Sequence, residues 1–399
     1  MSALHKNLVA GVLEVLEQTF GMKIYADKVI ERLLKTNRNW GSRDRAFVAE
    51  HSYNMVRHWR LLWALKGEEP ALKRKLLWEL FGVYWLWKGQ TLPDWEAFAT
   101  ISKSRFEEVD NWSLDVLQSY PEWLHQRASQ ELAGQWPQLA KELNNPAPLV
   151  LRTNLLKTTR AELIQRLQAE GLQPKAFELN NEGLVLEERS NTFKLESFKD
   201  GWFEVQDGGS QLIAPFVEAA PGMRIIDACA GAGGKSLHLA ALMENKGSIL
   251  SMDIEAWKLE ELKKRARRNG VHNLETRPIE STKTIKRLEK SADRVLLDVP
   301  CSGTGVIKRN PDTKWKLDAE HLDHVVQVQS DILERYSQMV KPGGKLVYAT
   351  CSIFPSENED QVTHFLDNHP DFKLENQQRI SPSNKGTDGF FMARLIRYE

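Results

Sequence analysis

Two cysteines and an aspartate lie where a folded chain could use them for chemistry. The segment RVLLDVPCSGTG carries Asp298 and Cys301 after an apolar, strand-like run, and KLVYATCS carries Cys351 after another. Short apolar strands that alternate with helices form parallel sheets, whose carboxyl ends lie along one edge. A lone buried cysteine is usually an inert apolar residue, but two thiols and a carboxylate at one edge favour a reactive site.

Methylation of carbon 5 of a pyrimidine is a reaction that uses this set of groups. Carbon 5 is too weakly nucleophilic to attack a methyl sulfonium, and addition of a thiolate at carbon 6 makes it enamine-like. An acid that hydrogen-bonds the ring nitrogen stabilises the shifted charge, and a base then removes the carbon 5 proton. Asp298 fits the contact with the ring nitrogen.

A glycine-rich turn follows an earlier strand-like segment, MRIIDAC, and indicates a ligand site. In DACAGAGGKS, Gly231, Gly233 and Gly234 allow a sharp turn and close approach of a ligand to the backbone. A Walker A loop would need glycine where Cys229 stands, so this is not a P-loop. A dinucleotide fingerprint would need glycine where Ser236 stands, which weakens dinucleotide binding without excluding it.

Asp253 ends the next strand-like segment, SILSMD, about 20 residues beyond the glycine-rich turn. An acidic side chain in this place can accept hydrogen bonds from both hydroxyls of a ribose. That favours a nucleoside-containing cofactor over a bare phosphate. Capping of the helix that follows is a second role open to the same side chain.

Four segments together resemble the RsmB/Nop/Sun family of RNA cytosine-5 methyltransferases: DACAGAGGKS, DVPCSGTGVIKRNPD, YATCSIFPSENE and DGFFMARL. Similarity in RTNLLKTTRAEL and VQDGGSQL extends the resemblance over residues 150–399. DKVIERLLK followed by GSRDRAFVAEHSYNMVRHW is similar to the NusB-like helical domain of RsmB-type members. The resemblance implies S-adenosylmethionine as the cofactor and RNA as the partner, with small-subunit (16S) ribosomal RNA favoured over tRNA.

The resemblance also implies roles for single residues. In the family the cysteine of the Thr-Cys motif attacks the base, so Cys351 is the expected nucleophile. Cys301, in the Pro-Cys motif, is expected to assist product release, and Asp298 to lie beside both the methyl donor and the base. The expected cofactor-binding set is Cys229, Ala230, Gly231, Ala232, Gly233, Gly234, Lys235, Asp253, Lys258, Glu280 and Asp298.

Three positions of that set depart from the commonest family pattern. Ala232 stands where proline is frequent, and alanine keeps the loop small. Lys258 replaces a frequent arginine, and Glu280 stands where an aspartate commonly approaches the adenosine.

The elements around these motifs predict three domains. Residues 1–145 carry long helical apolar patterns, residues 146–205 a small α+β unit, and residues 206–399 alternating strands and helices. The last pattern predicts an α/β domain with a parallel sheet covered on both faces. The resemblance implies that this is a Rossmann-like, doubly wound class I methyltransferase domain and that the small unit is RNA-recognition-like.

The helical part contains ten of the thirteen tryptophans. Five of them fall near helical spacing, which is more typical of helix packing than of base stacking: Trp59, Trp63, Trp78, Trp85 and Trp87. A helical domain of this kind is either an RNA-binding or docking module or a plain scaffold.

Composition limits the class of protein. The 399 residues are 41% hydrophobic and 27% charged, as in globular proteins. No apolar run approaches the roughly 20 residues that cross a bilayer, and charges interrupt the N-terminal apolar pattern, unlike a signal peptide. We expect a cytoplasmic monomer without a membrane partner. The three cysteines have neither disulfide-framework nor metal-ligand spacing, so we expect free thiols and no metal.

Charge gives no global support for nucleic-acid binding, because 54 basic residues balance 54 acidic ones. The best local candidate is KLEELKKRARR, with six basic residues in eleven, which is either an RNA contact or a solvated helix face. Two other functions stay open at this level. A Rossmann-domain oxidoreductase would explain Asp253 but not the two cysteines at strand ends, and a non-catalytic RNA-binding assembly factor would need none of Cys301, Cys351 and Asp298.

Overall fold

The computed structural model describes residues 4–187, 190–383 and 385–398. The chain divides into two compact units, Met1–Asn144 with Ile307–Ala319, and Asn145–Val306 with Glu320–Glu399. One division falls between Asn144 and Asn145. Residues 307–319 group with the helical unit, and residues 145–306 lie within one compact unit.

The first unit is built from helices, as its apolar periodicity predicts, and its described residues contain no strand. Trp59 and Trp63 are buried, and Trp78, Trp85 and Trp87 pack against the same apolar cluster, so the packing role predicted for these residues is confirmed. The α-helices are Lys6–Leu16, Ala26–Thr36, Ser42–Arg57, Trp59–Lys66, Arg74–Trp87, Leu114–Leu117, Glu122–Leu132, Trp136–Leu143 and Thr313–Lys316.

Residues 307–319 complete the interior of this unit. The Trp315 ring packs against the tryptophan-rich cluster, and its Nε1 donates a hydrogen bond to the carbonyl of Val56 at 2.7 Å. The fully buried Lys314 donates to the carbonyl of Arg57 at 2.8 Å and to Asn144 Oδ1 at 3.0 Å. The segment that follows the Pro-Cys motif is therefore part of the helical core.

The second unit begins with a small antiparallel sheet whose strand order is Lys175–Ala176, Gly183–Leu186, Leu149–Thr153 and Phe203–Val205. The helix Arg160–Ala169 starts with a capping box, in which Thr159 Oγ1 accepts from the backbone N–H of Glu162. Its buried Leu163 and Leu167 belong to the same apolar cluster as residues of the sheet. This is the α+β unit that the sequence predicts.

The large sheet has seven strands in the order Phe372–Ile380, Phe390–Arg397, Val340–Thr350, Ala292–Asp298, Arg224–Asp227, Ser248–Asp253 and Leu274–Pro278. The last five run parallel, whereas Phe390–Arg397 is antiparallel to both of its neighbours. The carboxyl ends of these five parallel strands therefore lie along one edge of the sheet.

Helices cover both faces of this sheet. Neighbouring strand residues such as Ile225 and Ile226 enter different apolar clusters, because side chains alternate between the faces of a strand. One cluster includes side chains from Gly208–Phe216, Gly234–Leu242 and Ala256–Asn269, and the other from Thr282–Lys286, Ala319–Tyr336 and Glu359–Asn368. The predicted doubly wound, Rossmann-like α/β fold is confirmed. No helix in the described ranges has both the length and the apolar character that a bilayer crossing requires.

We expect Trp315→Ala to destabilise the helical unit by about 2 to 4 kcal/mol, because it removes a large packed side chain and leaves the Val56 carbonyl without its donor. Urea unfolding followed by circular dichroism would measure the change. Trp257→Ala is the matched control, since that ring is 65% exposed. Equal effects of the two substitutions would contradict a core role for residues 307–319.

Candidate active site

The two cysteines that the sequence places after separate strands meet at the edge of the large sheet. The strands that precede them are parallel neighbours, with Asp298 in register with Ala349. Just beyond that pair, the sulfurs of Cys301 and Cys351 lie 3.1 Å apart, and the backbone N–H of Cys351 points to the Cys301 sulfur at 3.3 Å. Both thiols are free and partly buried. The hydrogen bond with Cys351 and burial raise the pKa of the Cys301 thiol, so Cys301 keeps its proton near neutral pH.

Asp298 forms an ion pair with Lys235, the residue that follows the glycine-rich turn. Burial by itself would lower the pKa of Lys235, but the neighbouring Asp298 carboxylate outweighs it and raises that pKa. The ammonium group therefore stays charged beside the carboxylate. Its nitrogen also lies 5.9 Å from the centroid of the Phe390 ring, which belongs to the DGFF motif.

The glycine-rich loop is held in a conformation that depends on its glycines. Gly231 and Gly233 have positive φ angles of 53° and 85°. A Cβ atom on Gly233 would lie 1.5 Å from Cδ1 of Leu262, so a larger residue does not fit there. The N–H of Gly231 donates to Asp253 Oδ2 at 2.8 Å, which ties the loop to the end of the next strand.

Asp253 also contacts the backbone that leads into the next helix. Its Oδ1 accepts from the backbone N–H of Glu255 at 2.9 Å, just before the helix Ala256–Asn269. The capping residue itself is Glu255. Because a carboxylate has about four acceptor positions, Asp253 retains capacity for a ligand after these two backbone contacts.

A cavity of about 590 Å³ opens beside the loop. Five residues of the expected cofactor set line it: Cys229, Gly231, Asp253, Lys258 and Asp298. Apolar side chains, including Ile254, Val299 and Ile332, form much of the remaining wall. Ala230, Ala232, Gly233, Gly234 and Lys235 build the loop without lining the cavity. Glu280 lines a neighbouring cavity of about 460 Å³, which shares Ile279, Arg335 and Tyr336 with the first.

Residues of the small antiparallel sheet help to hold the glycine-rich loop, and this contact was not predicted from the sequence. Buried Arg152 donates to the carbonyl of Gly234 at 2.7 Å, and burial lowers its pKa to about 10. Arg265 donates to the carbonyl of Ala232 at 2.7 Å and pairs with buried Glu204 at 2.9 Å. Arg152 lies in the RTN segment, whose similarity to the family was the available signal.

Most of the basic residues in KLEELKKRARR have acidic partners within the chain. Lys258, Lys263 and Lys264 pair with glutamates three residues before them, and Arg265 and Arg268 both pair with Glu204. Of the two interpretations of this segment, the pairing favours a helix face that serves the fold rather than an RNA contact.

Comparison with known proteins identifies the family. Residues 214–396 match the family model described as 16S rRNA methyltransferase RsmB/F, and residues 120–192 match the ferredoxin-like domain of RsmF/B-like methyltransferases. A probable ribosomal RNA small subunit methyltransferase B from Synechocystis is 30% identical over 93% of this chain and 95% of its own length. The chain belongs to the RsmB/F family of methyltransferases. The similarity that the sequence motifs suggest is thus confirmed, and the oxidoreductase alternative is wrong.

Other relatives match a smaller share of this chain than the Synechocystis protein does. The ribosomal RNA small subunit methyltransferase B of Serratia proteamaculans is 34% identical over 70% of this chain, and the match spans 66% of its own length. Among solved structures, PH0851 has a TM-score of 0.81 at 24% identity and covers 99% of both chains, which shows a common fold. A methyltransferase homologue from Pyrococcus horikoshii has a TM-score of 0.62 at 28% identity, over 75% of this chain and all of its own.

RsmB/F proteins depend on S-adenosylmethionine, and the cavity fits this cofactor. The Asp253 carboxylate suits ribose hydroxyls, and the apolar wall suits an adenine ring. Asp227, at the first strand end, is buried, and its Oδ1 has no hydrogen-bond partner among the described residues. Burial raises the pKa of Asp227 to about 7. The charges of Asp298 and Asp253 add to this rise, so a cationic ligand bound beside these carboxylates would lower the pKa of Asp227.

We expect Asp253→Ala to weaken binding of S-adenosylhomocysteine by about 10- to 100-fold, because it removes the acceptor for the ribose hydroxyls and a tether of the loop. Glu280→Ala, on the neighbouring cavity, should change the affinity less than about threefold. Calorimetric titration measures both. Equal losses in the two variants would show that the adenosine reaches Glu280, as the resemblance implied.

Proposed function

We propose that this chain methylates carbon 5 of a cytosine in small-subunit ribosomal RNA, with Cys351 as the nucleophile. The observation that carries the proposal is the 3.1 Å contact between the Cys351 and Cys301 sulfurs, at the sheet edge that also holds Asp298 and the cavity. One thiol would suffice for simple nucleophilic attack. Two thiols in contact suit a reaction in which one adds to the base and the other assists its release.

The covalent step begins when the Cys351 thiolate adds to carbon 6 of the cytosine. A sulfur–carbon bond forms, and the electrons of the carbon 5–carbon 6 double bond move to carbon 5. Asp253 and the glycine-rich loop would hold S-adenosylmethionine, which would supply the methyl group to carbon 5 and leave as S-adenosylhomocysteine. Removal of the carbon 5 proton then restores the double bond, and the electron pair of the sulfur–carbon bond returns to Cys351.

Neighbouring side chains support these changes of charge. The ion pair of Asp298 and Lys235 would face ring nitrogen 3, and the Lys235 ammonium group would offset the negative charge that moves onto the ring. Cys301, which keeps its proton, lies next to the attacking sulfur and is assigned to the release step. The residues divide the work between attack, charge stabilisation and release.

The RNA substrate is inferred from the relatives. The proteins from Synechocystis and Serratia proteamaculans are both named for the small ribosomal subunit. The partly buried thiols require the target base to leave its stack, either by flipping or in incompletely assembled RNA. We assign residues 206–399 to catalysis, residues 146–205 to an RNA-recognition-like unit and residues 1–145 to a helical RNA-binding domain. The same chemistry on tRNA is the alternative substrate.

We expect Cys301→Ala to accumulate a protein–RNA adduct that survives denaturation, because attack by Cys351 continues while release is impaired. Cys351→Ala should form no adduct. Denaturing electrophoresis after incubation with S-adenosylmethionine and small-subunit ribosomal RNA from cells that lack the chain would test this. Cys229→Ala is a thiol control, expected to form no excess adduct. An adduct that persists in Cys351→Ala would overturn the choice of nucleophile.

Bisulfite sequencing of all stable RNA, with and without the chain, would identify the substrate. We expect one cytosine of the small-subunit RNA to lose its protection from conversion when the chain is absent, and Cys351→Ala to fail to restore it. Loss of protection in a tRNA would favour the alternative substrate. No change at any site would favour a non-catalytic assembly factor.

A further inference from the structure

A buried carboxylate contacts the residues that follow the two cysteines and has no role in the chemistry described above. Glu357, in the PSENE segment, is fully buried between the strand that ends at Thr350 and the helix Glu359–Asn368. It is separate from the cofactor cavity, which it does not line. A charged group in such a place is costly unless donors surround it, so its partners indicate its purpose.

Glu357 accepts hydrogen bonds from both cysteine-bearing loops. From the first loop, the backbone N–H of Ser302 donates to Oε1 at 2.8 Å and the Ser302 hydroxyl to Oε2 at 2.6 Å. From the second, the hydroxyl of Ser352 donates to Oε2. Ser302 directly follows Cys301, and Ser352 directly follows Cys351. One carboxylate therefore joins the residues next to each thiol.

A fourth donor extends this connection to a helix. Gln329, buried in Ala319–Tyr336, donates from Nε2 to Glu357 Oε1 at 3.0 Å and to the carbonyl of Pro300 at 2.9 Å. The residues on both sides of Cys301 are thus held through the same network. Cys351 has an additional backbone anchor, because its carbonyl accepts from the N–H of Gly305 at 2.8 Å.

Loss of the carboxylate should therefore affect the two thiols unequally. Ser302, in the Cys301 loop, donates two hydrogen bonds to Glu357, and Gln329 links Pro300 of the same loop to that carboxylate. Cys351, in contrast, continues from a strand inside the sheet. The negative charge of Glu357 also adds to the effects of the Cys351 hydrogen bond and burial that raise the pKa of Cys301. Cys301 is the thiol whose placement depends more on Glu357.

We propose that Glu357 is a positioning residue that holds Cys301 against Cys351, so that release follows attack. This inference rests on the proposed two-thiol function and adds to it a residue that touches neither the substrate nor the cofactor. It acts through the loops that carry the thiols. A purely structural role would lower stability and rate together, whereas a positioning role makes release fail selectively.

The test compares Glu357→Gln with Asp360→Asn, an exposed acidic residue three positions along the chain. The full-length variants are incubated with S-adenosylmethionine and the undermethylated small-subunit RNA used above. We expect Glu357→Gln to slow turnover on the order of 100-fold, since small misplacements of reacting groups can cost this much. We also expect at least ten times more denaturation-resistant adduct per methyl group transferred than in Asp360→Asn. Binding of S-adenosylhomocysteine should stay within about twofold.

Ser302→Ala gives a milder second test, because it removes one hydroxyl, with its bonds to Glu357, Thr304 and Ser352, and leaves the carboxylate with its other donors. We expect the same pattern, with turnover about tenfold slower. Slower turnover without excess adduct in the folded variants would overturn the proposal, as would turnover equal to that of Asp360→Asn. Failure of Cys301→Ala to trap any adduct would instead refute the two-thiol function itself.

Discussion

The parallel pairing of Ala292–Asp298 with Val340–Thr350 is the constraint on which the site depends. It brings the carboxyl ends of two strands to the same place on one edge of the sheet, although the cysteines that follow them are 50 positions apart in the chain. A slip of one residue would turn the buried side chains of either strand to the opposite face, so the apolar interior fixes the register. The position of the two sulfurs is in this way a consequence of how the core packs.

Much of this arrangement could be predicted from the sequence because its signals are local. Strands such as MRIIDAC and SILSMD are visible in the sequence as short apolar runs, and each functional segment follows a run of this kind. The thiol contact needed only the further rule that parallel strands end on one edge. The resemblance supplied the order of use of the thiols, which no spacing rule could give.

What escaped prediction was interaction at long range between polar residues. Arg152, in the small antiparallel sheet, donates a hydrogen bond to the carbonyl of Gly234 in the glycine-rich loop. Glu204, in the same sheet, pairs with Arg265, which donates to the carbonyl of Ala232. Glu357 stands within a recognisable motif, but its purpose depends on donors up to 55 positions away. Residues 307–319 continue the Pro-Cys motif in sequence and pack into a different core. Charge and proximity along the chain do not reveal such partners.

The contribution of residues 307–319 to the helical core has a consequence for biosynthesis. A ribosome completes the first 144 residues long before it reaches Trp315, and at about 5 to 20 residues per second the delay is on the order of ten seconds or more. During that time the interior of the nascent helical unit lacks a tryptophan and a buried lysine that it later contains. The last step in closing that interior must therefore wait for the translation of the strand that carries Asp298 and the cysteine after it, so the N-terminal unit matures only once the reactive loop exists.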